Sequence, residues 1–143
     1  LQGEWGETEK KYLAVVHGRC QKSEETITTY LAENKAHVMY SASDPTKGKL
    51  SRTAYKVLKQ TKAFALLEVN LLTGRKNQIR VHLAGIGHPI VGDRKYGSAK
   101  ESHAGLALHA RSLSFRHPFS GQRLTFAAKV PAYFHKLIGG IAH

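Results

Sequence analysis

Residues 71–97, LLTGRKNQIRVHLAGIGHPIVGDRKYG, hold the side chains of this sequence best placed to do chemistry. An apolar run ends at Leu72, Gly74 permits a tight turn, and a helix is expected to follow with its first backbone N–H groups unpaired. Arg75, Lys76 and Arg80 gather there, and Lys76 and Arg80, four positions apart, are expected on one helical face. Cations beside a helix N-terminus suit a phosphate or a carboxylate. The spacing alone is equally compatible with a helix whose basic residues are merely solvated.

Other chemistries find less support. The nine histidines invite a metal reading, but His82/His88 and His103/His109 reproduce neither H-E-x-x-H nor a Cys-bearing finger, so no metal site is expected. His82 is read as half-buried on the helix, and His88, His109 and His117 as hydrogen-bonded residues of turns or strands. The single cysteine, Cys20, has no paired base nearby in sequence and is expected to be inert. Ser114 and Ser120 belong to no G-x-S-x-G elbow.

The elements that must position these residues follow from periodicity. KYLAVV (11–16) reads as a strand ended by Gly18; TITTYL (26–31) and AHVMYSA (36–42) as a hairpin; SDPTKGK (43–49) as an exposed turn. LSRTAYKVLKQ (50–60) alternates Ser51, Thr53, Tyr55 and Val57 against more basic partners, and AFALLEVNLL (63–72) is a longer apolar run, so two adjacent antiparallel strands are expected. Ile79, Leu83 and Ile86 then fall at i, i+4 and i+7, the stripe of a helix that Gly87 and Pro89 end. After a turn-rich 89–97 and a loop at 98–105, strands are expected over 106–115 and 124–130, with a short helix after Pro131. The fold class is α+β, a mostly antiparallel (mixed) sheet with few helices.

Composition sets the frame. The 143 residues fit one domain, 41% hydrophobic and 22% charged, as in soluble globular chains. No apolar window is long enough for a membrane span, and the acidic start is unlike a signal peptide, so a cytoplasmic, membrane-free protein is expected. A lone cysteine suits a reducing compartment. The chain starts at Leu1 and its one methionine is Met39, which reads as an excised piece. The net charge is +12, yet residues 1–40 carry five Lys/Arg against six acidic residues, so the excess lies in the last hundred. Such one-sided charge points to nucleic acid. Trp5 is read as an RNA contact or as an anchor for the N-terminal segment.

The motifs also carry a resemblance. Thr73-Gly74-Arg75-x-x-Gln78-Ile79-Arg80-x-His82-Leu83, followed by Gly87-His88-Pro89-Ile90-x-Gly92-Asp93-x-x-Tyr96-Gly97, resembles the signature of the large pseudouridine synthase family that modifies ribosomal and transfer RNA. Lys11-Tyr12-x-Ala14-x-Val16-x-Gly18, Leu108-His109-Ala110 and Phe115-x-His117-Pro118 agree with it. The resemblance runs from about residue 1 to 138. It implies that residues 1–143 are the C-terminal portion of a catalytic domain acting on RNA, as a monomer, without cofactor or metal. In the family reaction the C1′–N1 bond of a uridine breaks, the base turns, and it rejoins through C5.

The resemblance also implies roles. Arg80 matches the arginine that pairs with the family's essential aspartate, and Tyr12 the tyrosine that lies against the target base. Arg75 and Lys76, with Asn77 and Gln78, are assigned to RNA, and Leu108 to the base pocket. Asn77 stands where the family usually has His, which keeps a polar group without a titratable charge. The larger departure is that no His-Arg-Leu-Asp segment occurs; in the family it precedes the Lys-Tyr segment. Of the two aspartates, Asp44 falls in a turn and Asp93 in the signature itself, where a turn-stabilising role is expected. The chain alone is therefore expected to be inactive. The alternatives are a non-catalytic RNA-binding module and a self-contained enzyme using Asp44 or Asp93.

Overall fold

The computed structural model of the chain describes residues 9–116, 123–127 and 129–139. Strands β1 (Glu9–His17), β2 (Glu24–Glu33), β3 (Met39–Ala42), β4 (Lys49–Gln60), β5 (Phe64–Leu71), β6 (Leu108–Arg116) and β7 (Arg123–Ala127) join helices α1 (Gln78–Gly85) and α2 (Ala132–Ile138). The strands make one sheet in the order β3-β2-β4-β5-β1-β6-β7, with every neighbouring pair antiparallel. The α+β expectation holds, but among the described residues the sheet is antiparallel throughout rather than mixed. Trp5 and His117 lie outside the described residues.

Burial explains the order. Leu13, Ala14, Val15 and Val16 of β1 are all fully buried, as are Ala65 and Leu67 of β5. Such continuous apolar runs belong to strands covered on both faces. In β4, Ser51, Thr53 and Tyr55 are buried while Arg52 and Lys56 are exposed, the alternation of a strand covered on one face. Tyr12 pairs with Val69, which pairs with Tyr55, so Tyr12 shares the face of Thr53 and Tyr55. Helix α1 packs on that face. Helix α2 meets the other through Phe134, edge-on to His109, the cross-strand partner of Leu13.

A polar network ties α1 to the sheet. The Gln78 amide Nε2 donates to Arg52 O and Thr53 Oγ1, both at 2.8 Å, and its Oε1 accepts from Thr73 Oγ1 and the Arg75 N–H. His82, expected half-buried, is 1% exposed, because its ring bridges Thr53 of β4 (2.7 Å from Nδ1) and Thr29 of β2 (2.8 Å from Nε2). Thr53 accepts from Gln78, so its hydroxyl proton is best spent on His82 Nδ1, leaving Nε2–H to donate to Thr29. The helix ends as the glycine signal implies: Gly87 adopts φ 86°, its N–H reaches Ala84 O, and the His88 N–H reaches Leu83 O.

Burial without a counter-charge lowers the His82 pKa from 6.5 to about 4. The folded state therefore binds fewer protons than the unfolded chain between those values. Stability should be full above pH 6.5 and decline by roughly 3 kcal/mol as the pH falls to about 4. Urea unfolding across this range tests it. His82→Leu is expected to be less stable at neutral pH, with Thr29 and Thr53 each losing one hydrogen-bond partner, and to lack this slope; an unchanged slope would refute the assignment.

Candidate active site

Three stretches of chain converge beside α1. Tyr12 from β1, Leu71 at the end of β5, Leu108 at the start of β6, and Arg75, Asn77, Gln78, Ile79 and Arg80 line one cavity of about 200 Å³. Of Tyr12, Arg75, Lys76, Asn77, Gln78, Arg80 and Leu108, the residues given site roles by the resemblance, all but Lys76 line it. The register accounts for the meeting: Ala14 faces Leu108 across β1 and β6, and a bulge between Lys11 and Tyr12 re-aims the strand where Tyr12 leaves it.

Arg80 is held from behind. Its Nε and one Nη donate to the two carboxylate oxygens of Asp93 at 3.0 and 2.8 Å, a bidentate pair with Asp93 only 2% exposed. Asp93 Oδ1 also accepts the Tyr96 N–H at 3.0 Å, the turn-stabilising role expected of it. Burial alone pushes the Asp93 carboxyl up, but Arg80 and the turn N–H groups outweigh it and keep its pKa below the ordinary value. The other Nη of Arg80 has no hydrogen-bond partner among the described residues. The guanidinium also lies over the Tyr96 ring, 5.0 Å from its centroid.

Tyr96 stands in the signature but had no role assigned from sequence. Its hydroxyl accepts from the Met39 N–H and from Asn77 Nδ2, both at 3.2 Å, joining the β2–β3 hairpin to the turn before α1. Burial raises its pKa, yet these donors with Lys95 and Arg80 lower it overall. The aromatic-cation spacing of Arg80 and Tyr96 across a Gly-containing turn was the available signal. Gly92 is required in that turn: it sits at φ 88°, and a Cβ there would meet Gly105 O at 1.9 Å.

The turn itself departs from expectation. The left-handed residue is Asn77, at φ 55°, and Gly74 takes no such conformation. Asparagine tolerates this region, so position 77 is a backbone post as much as a polar contact. The helix begins one residue later, so Lys76 lies outside it and does not share a helical face with Arg80. Lys76 instead donates to Glu33 at 2.6 Å, an exposed pair. The first helical N–H is also not free, since that of Gln78 donates to Arg75 O. Gln78 is 2% exposed, and both ends of its amide are bonded to the protein. Arg75 grips Leu50 O through Nε and Nη2 and lines both the cavity and a neighbouring groove of about 500 Å³ with Lys49 and Lys76.

The remaining candidates sort by position. Asp44 caps the exposed turn at Pro45–Lys47 by accepting from Thr46. Cys20 is buried, and burial pushes its thiol pKa up, as befits an inert cysteine. His88 Nδ1 bonds His17 O, whereas His109 Nε2, expected to be bonded, is buried without a partner among the described residues. One His/Glu/His group, His17, Glu101 and His103, comes together at the far end of β1.

The fold is that of a pseudouridylate synthase domain. The solved structure of human RNA pseudouridylate synthase domain containing 1 superimposes with a TM-score of 0.74 at 30% identity, over 85% of this chain and 54% of that one. The chain belongs to the RNA pseudouridylate synthase family, whose model matches residues 4–85, more than half of it. An uncharacterized RNA pseudouridine synthase of Bacillus subtilis, YlyB, is 40% identical over 130 residues, covering 90% of this chain and 43% of that protein. Ribosomal large subunit pseudouridine synthase D of Zymomonas mobilis is 40% identical over 94 residues, 59% of this chain and 30% of its own length. The chain spans about half the length of the curated relatives it matches.

Breaking one side of a buried, bidentate ion pair leaves the other charge stranded, at a cost of about 3–5 kcal/mol. Arg80→Ala, which strands the buried Asp93 carboxylate, should lower the unfolding free energy by about 3 kcal/mol, and Asp93→Ala by less, since the Arg80 side chain it strands is 22% exposed. The double variant should show a coupling of at least about 1 kcal/mol in a denaturation cycle. Additive losses would mean the pair is not energetically linked.

Proposed function

We propose that this chain is the C-terminal portion of the catalytic domain of an RNA pseudouridine synthase that isomerises uridine in ribosomal or transfer RNA. The observation that carries the reading is the convergence of Tyr12, Arg80 and Leu108, nearly a hundred positions apart in sequence, on one small cavity. Its volume is below the roughly 300–1,000 Å³ of pockets for drug-sized ligands, which suits a single extruded base. The whole protein works in the cytoplasm as a monomer.

In this reading the aromatic face of Tyr12 holds the flipped base, Leu108 closes the pocket, and the Tyr12 hydroxyl is placed to help remove the C5 proton. The unpartnered Nη of Arg80 takes the carboxylate of a His-Arg-Leu-Asp segment outside residues 1–143. Asp93 is poorly suited to replace that carboxylate, because its oxygens already hold Arg80 and the Tyr96 N–H. Residues 1–143 alone therefore bind RNA without converting it. Arg75, Lys76 and Asn77, with Lys49 along the adjoining groove, contact the RNA, the cations taking phosphates.

Nucleoside analysis by mass spectrometry after incubation with ribosomal and transfer RNA tests this. The longer protein carrying the aspartate should form pseudouridine, residues 1–143 should not, and Arg80→Ala in the longer protein should lower the rate by at least about a hundredfold while RNA affinity stays within about threefold. RNA binding by the longer protein with no conversion would establish the binding-module reading instead. Conversion by residues 1–143, abolished by Asp93→Asn, would establish the self-contained enzyme. Lys76→Ala should weaken RNA binding evenly across sequences and reduce the salt slope by about one, measured from about 50 to 200 mM salt.

A further inference from the structure

His17 closes β1, five residues beyond Tyr12 and so roughly 17 Å along the strand from the cavity. Against it lies the loop of residues 98–105, which contributes Glu101 and His103. The Glu101 carboxylate is almost enclosed, with 4% of its side chain exposed. Its Oε1 accepts the Gly92 N–H at 2.9 Å and meets His17 Nε2; its Oε2 accepts the His103 N–H and meets His103 Nδ1, both at 3.0 Å. One imidazole nitrogen thus sits on each carboxylate oxygen, and the ligand atoms of the three residues lie within 4.8 Å of one another.

The two rings are fixed in place. Phe64 packs against His17 at 5.6 Å and against His103 at 5.8 Å between centroids, and the imidazoles themselves are 6.1 Å apart. Both histidine side chains remain about one-third exposed, at 37% and 33%, so one side of the cluster is open to solvent. The arrangement is a buried, oriented carboxylate flanked by two oriented imidazoles, with an open approach.

We propose that His17, Glu101 and His103 form a binding site for a divalent cation of the zinc type, which clasps loop 98–105 to the end of β1. Two imidazoles and one carboxylate, with further positions left for water, make a ligand set that zinc accepts, whereas magnesium and calcium favour all-oxygen sets. Metal–ligand bonds of about 2.0–2.2 Å put tetrahedral ligand atoms roughly 3.3 Å apart, so the 3.0 Å pair of His103 and Glu101 needs to open by only a few tenths of an ångström. The Glu101 carboxylate is already oriented toward both imidazoles by the Gly92 and His103 backbone N–H groups. Each imidazole binds the cation through the nitrogen that now faces Glu101, with the ring proton carried on its other nitrogen.

The clasp would stabilise more than its own loop. Gly92, whose N–H Glu101 holds, precedes the Asp93 that anchors Arg80, and the backbone of His17 pairs with Pro89 O. The site is separate from the cavity and does not rest on the proposed activity.

The test is zinc titration of the chelator-treated, dialysed chain by calorimetry, with cobalt(II) absorption to report geometry. One site with Kd of about 10 µM or tighter is expected, with a tetrahedral or five-coordinate cobalt spectrum and a rise in Tm of about 4 °C or more at saturating zinc. His17→Ala/His103→Ala should weaken binding at least about a hundredfold, and Glu101→Gln at least about tenfold. His17→Gln/His103→Gln keeps an amide donor for Glu101 at each position, so it holds the fold should the alanine pair fail to, and it should lose zinc equally. No binding by the parent chain would leave the cluster a hydrogen-bonded clasp only. Equal affinity in the parent and the glutamine pair would assign the zinc to the other seven histidines, and either result overturns the proposal.

Discussion

The ion pair of Arg80 and Asp93 joins the two halves of the 71–97 segment, and the candidate site takes its shape from that join. Arg80 belongs to α1, which the Gln78 and His82 bonds press onto β2 and β4. Asp93 belongs to the turn that follows, fixed through Gly92 against Gly105 and through the Ala107 N–H on Val91 O. A guanidinium gripped along one edge by Asp93 and laid over the Tyr96 ring has little rotational freedom left. The cavity thus presents an arginine with one free donor edge in a set place, which is what orienting a carboxylate requires.

Around that pair the sheet serves as a ruler. β1, buried on both faces, carries Tyr12 near one end and His17 at the other, so one strand positions both the cavity wall and the proposed cation clasp. Its neighbours β5 and β6 bring Leu71 and Leu108 to the same face as Tyr12 through register alone. The outer strands β2 and β4 have a lighter task. They hold the polar underside of α1, and this explains why their inward residues include Thr29 and Thr53, both bonded to the His82 ring, where an apolar core would be expected.

Much of the architecture was legible in sequence because period and punctuation agree. Strand alternation over 50–60, the largely apolar run of β5, and Ile79, Leu83 with Gly87 all mark elements whose bounds differ from the structure by a residue or two. The misreadings have one source: residues whose partners are distant. Spacing puts Lys76 on the helix because it does not reveal that Asn77 turns left-handed, and it does not show that four groups on β4 and in the preceding turn bond the Gln78 amide. His82 was placed half out of the core because Thr29 and Thr53, more than twenty-five positions away, supply the bonds that allow a polar ring to be buried.

The sequence by itself determined the class of fold, the family signature and the identity of the groups able to do chemistry, because those reside in side-chain type and local spacing. Only the tertiary structure decided which groups meet. It assigned Asp93 to Arg80 and made Tyr96 the ring beneath that guanidinium. It also drew His17 onto Glu101 and its near neighbour His103, across 84 positions of chain. Hydrogen bonds and ion pairs act over about 3 Å whatever the sequence separation, so a linear reading supplies the chemical inventory and packing selects the pairs.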